Sequence, residues 1–140
     1  MIQLKNILME LGNSPFPFKK DSWSKDEIIY TFNVDEDTSF DVNIFVRSKN
    51  KIEIDFQSNY SFETTNRNKD TFKILATIKA IILEVLSKLK TKKYNIDTLV
   101  YSASVKKVQL YKKLIQHVFP NAKFGKDQYG NEEVKITPNN

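Results

Sequence analysis

The chain has no cysteine, which excludes disulfide scaffolds, cysteine-ligated zinc and thiol nucleophiles. Its single histidine, His117, is too few for a multi-histidine metal site and argues against a histidine-based triad. Three glycines and four prolines in 140 residues leave little room for glycine-rich nucleotide loops. No apolar run reaches the ~18–20 residues that a bilayer crossing needs. The greasiest stretch, 74–89, is broken by Thr77, Lys79, Glu84, Ser87 and Lys88. Lys5 and Glu10 near the start do not make a signal peptide, so the expectation is a soluble, intracellular protein with no membrane partner.

What is present is a globular balance, 40% apolar and 28% charged, in a length that suits one domain over 1–140. A chain of this size buries a core without a disulfide or metal staple. The charge is uneven. Residues 1–70 carry 9 Lys/Arg and 12 Asp/Glu, whereas 71–140 carry 13 and 5, so a slightly acidic half precedes a strongly basic one. The basic half suits phosphate, on nucleic acid or on a cofactor, and equally suits two solvated helix faces.

Ile2, Leu4, Ile7, Leu8 and Leu11 recur at helical spacing, with Gly12 placed to end the helix. The following stretch, through Lys25, holds Pro15 and Pro17, which forbid a helix interior, so 1–25 reads as a helix and an extended connector. Its aromatics, Phe16, Phe18 and Trp23, either pin the connector across the core or form a partner-binding arm. Three strands with period-two patterning come next: Ile28 to Val34, Phe40 to Val46 and Ile52 to Phe56. Their intervening residues are polar, which predicts an antiparallel meander with one dry and one wet face. Asn68 or Asp70 can cap a helix from about Thr71 to Lys90 with a wide apolar face. Ile96 to Ala103 suits a strand buried on both faces, Ser104 a cap, and Val105 to Val118 a second helix closed by Pro120. The tail reads as a hairpin, 122–126 and 132–137, turning through Asp127 to Gly130. The predicted order is α-βββ-α-β-α-ββ, a mixed α/β (α+β) fold with a mainly antiparallel sheet and helices on its faces.

That order resembles the GCN5-related N-acetyltransferase (GNAT) fold. In that family the fourth and fifth strands splay apart and the acyl-CoA pantetheine lies in the gap. Its last helix often reads Asn-x-x-Ala-x-x-Leu-Tyr-x-Lys-x-Gly-Phe. Here Leu110, Tyr111 and Lys113 match, while Ser104, Lys107, Ile115 and Gln116 depart. The segment 70–118 is also similar to small proteins of tailed-phage genomes, which implies a viral origin and a place in the host cytoplasm or the virion.

The GNAT resemblance implies roles for particular residues. Arg67, Asn68 and Lys69 would lie at the coenzyme pyrophosphate, and Tyr111 would protonate the departing thiolate. The family's glycines are missing from 67–72, however. Asp70 puts a carboxylate, and Phe72 a bulky ring, where a diphosphate would dock. Tyr111 equally suits a core position beside Val108 and Leu114. For a general base the sequence offers Glu53, Asp55 and Asp41, whose alternate placement also suits a solvated strand face. The expectation is therefore a non-catalytic GNAT-like module with no cofactor, acting as a virion component or as an inhibitor of a host factor. Its partner would be a viral or host protein, met through Phe16, Phe18 and Trp23, or a second copy of the chain. Two alternatives remain open. One is a divergent acetyl-CoA-dependent N-acetyltransferase. The other is a nonspecific nucleic-acid binder using Lys88, Lys90, Lys92 and Lys93, or Lys106, Lys107, Lys112 and Lys113, since no motif for base reading organises these lysines.

Overall fold

The computed structural model describes residues 15–24, 26–58, 68–102 and 105–136. Strand β1 is Phe18–Trp23, β2 Glu27–Asn33, β3 Ser39–Ser48 and β4 Lys51–Ser58. Helix α1 is Asn68–Thr91, β5 is Thr98–Ser102, α2 is Val105–Val118, β6 is Lys123–Lys126 and β7 is Glu132–Lys135. The strands form one seven-stranded sheet in the order β1-β2-β3-β4-β5-β7-β6. All neighbours are antiparallel except β4 and β5, which α1 connects as a parallel crossover. The fold is thus mixed α+β with a mainly antiparallel sheet. The helix predicted over 1–12 and the cap at Ser104 lie outside the described residues.

The period-two patterns sort the sheet into two faces. Ile28, Tyr30, Phe32, Phe40, Val42, Ile44, Ile52 and Ile54 are buried. The residues between them, Ile29, Thr31, Asp41, Asn43, Phe45, Glu53 and Asp55, are half-buried. Both described helices lie on the dry face. Tyr30, Val42 and Phe56 form one cross-strand row. At one end of it the Tyr30 hydroxyl donates to Glu84 Oε2 of α1 at 2.5 Å, and at the other Phe56 stacks on Tyr111 of α2. The second face carries Thr31, Asp41, Asn43, Glu53 and Asp55 beside the apolar Ile29, Phe45 and Val100. β5 is buried on both sides, as its unbroken apolar run requires: Leu99 and Tyr101 join the main core, while Val100 is buried apart from it.

The segment before β2 is also corrected. It is not a connector throughout, because 18–23 pairs with β2 as an edge strand. The pairing slips at Asp21, so that Lys20 faces Tyr30 and Ser22 faces Ile29. This bulge puts Phe18, Lys20 and Trp23 on the same, helix-bearing face and erases the alternation by which a strand is recognised. Just upstream, the Phe16 N–H donates to Thr77 Oγ1 of α1 at 2.8 Å in a buried site.

Helix α1 begins at Asn68, so Asp70 sits inside its first turn and not at the cap. The helix packs through Ile74, Leu75, Ile78, Ile81, Ile82, Val85 and Leu89, all buried. It ends in a Schellman motif: Tyr94 N–H donates to the Leu89 carbonyl at 2.9 Å and Lys93 N–H to that of Lys90 at 2.9 Å. The left-handed position is held by Lys93, at φ 67°, where glycine is usual. In α2, Tyr111, Leu114 and Ile115 turn inward. No helix among the described residues is long and apolar enough to cross a membrane.

Candidate functional site

Two places in this frame bring together residues that the sequence singles out. The first is the end of the parallel pair. β4 and β5 are paired from Lys51–Thr98 to Asp55–Ser102 among the described residues, and β4 continues to Ser58 paired with β3. Phe56 stands just past the last pair, and the Tyr111 ring lies flat on it, with centroids 4.2 Å apart and planes at 6°. Tyr111 is 1% exposed, and burial raises its phenol far above the ordinary value. A phenol held so firmly is a poor proton donor to a thiolate.

The carboxylates that might serve as base lie on the other face of the sheet. Glu53 and Asp55 flank Phe56 and Ile54 in alternation, so they point away from Tyr111. Each is engaged there: Arg47 Nη2 lies 2.9 Å from Glu53 Oε2, and Gln57 Nε2 donates to Asp55 Oδ2 at 2.8 Å. Acid and base candidates are thus separated by the sheet itself. Arg67 lies outside the described residues. Asn68 and Lys69 form the first turn of α1, and their side chains, like those of Asp70 and Phe72, are not among the described ones.

The second place is the C-terminal end of α1, beside Trp23. Three ammonium groups surround this indole: Lys92 Nζ at 4.5 Å from the ring centroid, Lys20 Nζ at 4.9 Å and Lys88 Nζ at 5.5 Å. Below the ring is a cavity of about 160 Å³ lined by Trp23, Ile28, Val46, Leu89, Lys92 and Tyr94. An open depression of about 250 Å³ adjoins it, lined by Lys20, Trp23, Lys88, Thr91 and Lys92. Two causes gather the lysines. The carbonyl end of a helix attracts cations, and the face of an indole does the same. Glu84 lies 3.8 Å from Lys88 and also accepts the Tyr30 hydroxyl.

Of the two readings of the aromatics, Phe16 and Phe18 follow the one in which they pin the segment against the core. Phe16 is buried and stacks on Phe32 at 5.9 Å, and Phe18 meets Tyr30 edge-on at 5.8 Å. Both rings pack against the core on the helix-bearing side, Phe18 through its regular pairing with Phe32 ahead of the Asp21 bulge. Trp23 alone lines an opening. Of the lysines on α2, Lys112 folds over Phe124 at 5.2 Å and Lys113 is exposed, while the side chains of Lys106, Lys107 and His117 are not among the described ones. Lys20 is the site residue that sequence reasoning missed. Its only local signal is the bulge that returns it to the face of Trp23. Among the described residues no group of three or more His, Asp or Glu is placed to hold a metal ion. In comparison with known proteins, the chain matches no protein-family model and no curated protein.

Proposed function

We propose that this chain is a GNAT-like binding module that performs no acyl transfer, of the kind carried by tailed phages. The single observation that carries this reading is the Phe56–Tyr111 stack. In the fold it resembles, the gap between the fourth and fifth strands receives the pantetheine arm. Here two aromatic rings pack face to face just past the last described β4–β5 pair, Asp55–Ser102. The group that would act as general acid is inside the core, and the carboxylates that would act as base are across the sheet. The likeness to the family rests on the order of elements from β2 to β7, with α1 after β4 and α2 after β5. With Phe16 buried and Phe18 packed against the core, the basic rim around Trp23 is the aromatic surface among the described residues that suits a partner, and its charge favours an anionic one.

Isothermal calorimetry with acetyl-CoA tests the reading. The module should give no binding heat at micromolar concentrations. Micromolar binding, together with acetyl transfer that Tyr111→Phe abolishes, would establish the acetyltransferase alternative instead.

A further inference from the structure

We infer that the Trp23 site binds single-stranded nucleic acid without sequence preference, one base stacking on the indole while Lys20, Lys88 and Lys92 take neighbouring phosphates. This deepens the binding-module reading by naming the ligand.

The chemistry of the site has two parts, and a nucleotide unit satisfies both. One part is flat and apolar: the Trp23 ring over a cavity walled by Ile28, Val46, Leu89 and Tyr94. The other is cationic. All three ammonium groups lie within 5.5 Å of one centroid. They are thus within roughly one Debye length of each other, ~10 Å at 0.1 M salt, and their repulsion is not screened away. Glu84 offsets the charge of Lys88 alone. An acidic peptide would engage the lysines, but only a nucleotide chain carries a planar ring and an anionic phosphate in every unit, at a fixed spacing. A base stacked on the indole gains about as much as the exposed cation–π contacts it displaces, and the phosphates add their attraction to the freed lysines. The lysines then swing to phosphate on long, flexible stems.

The same geometry favours a strand over a free nucleotide. Tight phosphate cradles use backbone N–H groups at a helix N-terminus. This site stands at a helix C-terminus, where the dipole opposes anions and only the lysines favour them. One phosphate gains little there. A strand gains by passing several phosphates along the open depression between Lys20 on β1 and Lys88 and Lys92 at the end of α1.

Trp23 is the only tryptophan, so its emission reports on the site directly. Titration with an oligodeoxythymidylate of about 12 nucleotides should quench it saturably. Three phosphate contacts give a slope of log K against log salt near −2, at ~0.7 each for single strands. Lys92→Gln should weaken binding and reduce the steepness of that slope by about 0.7. Trp23→Ala, read by anisotropy of a labelled strand, should cost about tenfold or more. Lys123→Gln, on the far strand β6, should change nothing. Both lysine substitutions are at exposed positions, so the test stands even if Trp23→Ala fails to fold. Absence of quenching, or a salt slope that Lys92→Gln leaves intact, overturns the inference. So does equal affinity for polyglutamate, which would assign an acidic protein, or for adenosine monophosphate, which would assign a free nucleotide. Failure here, with no binding of acetyl-CoA, removes this ligand and leaves the binding-module reading standing. Binding of acetyl-CoA would remove that reading by a separate measurement.

Discussion

Replacing Tyr101 by Phe should make the protein more stable. The Tyr101 ring is fully buried on β5, level with Ile54 of β4 and Glu132 of β7. Its hydroxyl has no hydrogen-bond partner among the described residues. Folding strips this group of water and returns nothing, which costs about 1–3 kcal/mol in comparable cases. Phenylalanine removes that cost and gives up only the contacts of one oxygen atom, at about 0.1–0.2 kcal/mol each. The net gain is about 1 kcal/mol, or roughly 3–5 °C in Tm for a chain of this length. The effect carries a pH signature. Burial, with the nearby charge of Glu132, pushes the Tyr101 phenol from 10.0 up to about 12. Below pH 10 both folded and unfolded chains keep the proton, and the term vanishes. As pH rises from 10 through about 12, the unfolded chain releases it first, so stability is lost. The gap corresponds to about 2–3 kcal/mol once the upper value is passed. Tyr30 and Tyr111, raised in the same sense, are present in both proteins, so the difference isolates Tyr101. Urea denaturation at pH 7 should show a higher midpoint for Tyr101→Phe with an unchanged m value, and the advantage should widen above pH 10. An equal or lower midpoint at pH 7, or an advantage that ignores alkaline pH, would refute the reasoning.

Three further outcomes are expected. Lys93→Gly relieves the left-handed backbone at the end of α1, and thermal unfolding should show a gain of about 1 kcal/mol. Thr77→Val keeps the shape of the side chain but leaves the buried Phe16 N–H without its acceptor. Denaturant titration should show a loss of about 1–3 kcal/mol, with hydrogen exchange at Phe16 accelerated. At Asp127 slight desolvation raises the carboxyl, but backbone N–H groups of Asn131 and Tyr129 outweigh it and hold the pKa below 3.8. Its stabilisation is complete above that value and is lost as pH falls through the depressed one. Amide exchange in the β6–β7 hairpin should therefore become faster in acid, and Asp127→Asn should abolish that dependence.

Much of the frame is legible in the chain. Alternation at Ile28 to Val34, Phe40 to Val46 and Ile52 to Phe56 marks three strands to within two residues at each end. The helical spacing of Ile74 to Leu89 marks α1 for the same reason, since burial on one side imposes the period. What alternation cannot mark is a bulged edge. Phe18, Lys20 and Trp23 share a face only because Asp21 is an extra residue, and lysines are not expected on an inward row. The candidate site was legible in pieces. Trp23 and the run from Lys88 to Lys93 each stand out, but they are far apart in sequence and are joined only when β1 takes the edge of the sheet beside the end of α1. The burial of Tyr111 was open for a similar reason. A helix pattern shows which face turns inward, but not which strand residue, here Phe56, waits beneath it.

Under the proposed function, the stacked Phe56 and Tyr111 rings occupy the place an acyl-CoA arm would need. A crystal grown with saturating acetyl-CoA tests it most directly. The Phe56 and Tyr111 rings should stay in contact, with no coenzyme seated between β4 and β5. Coenzyme found there, with the rings parted and its pyrophosphate against the first amides of α1, would contradict it.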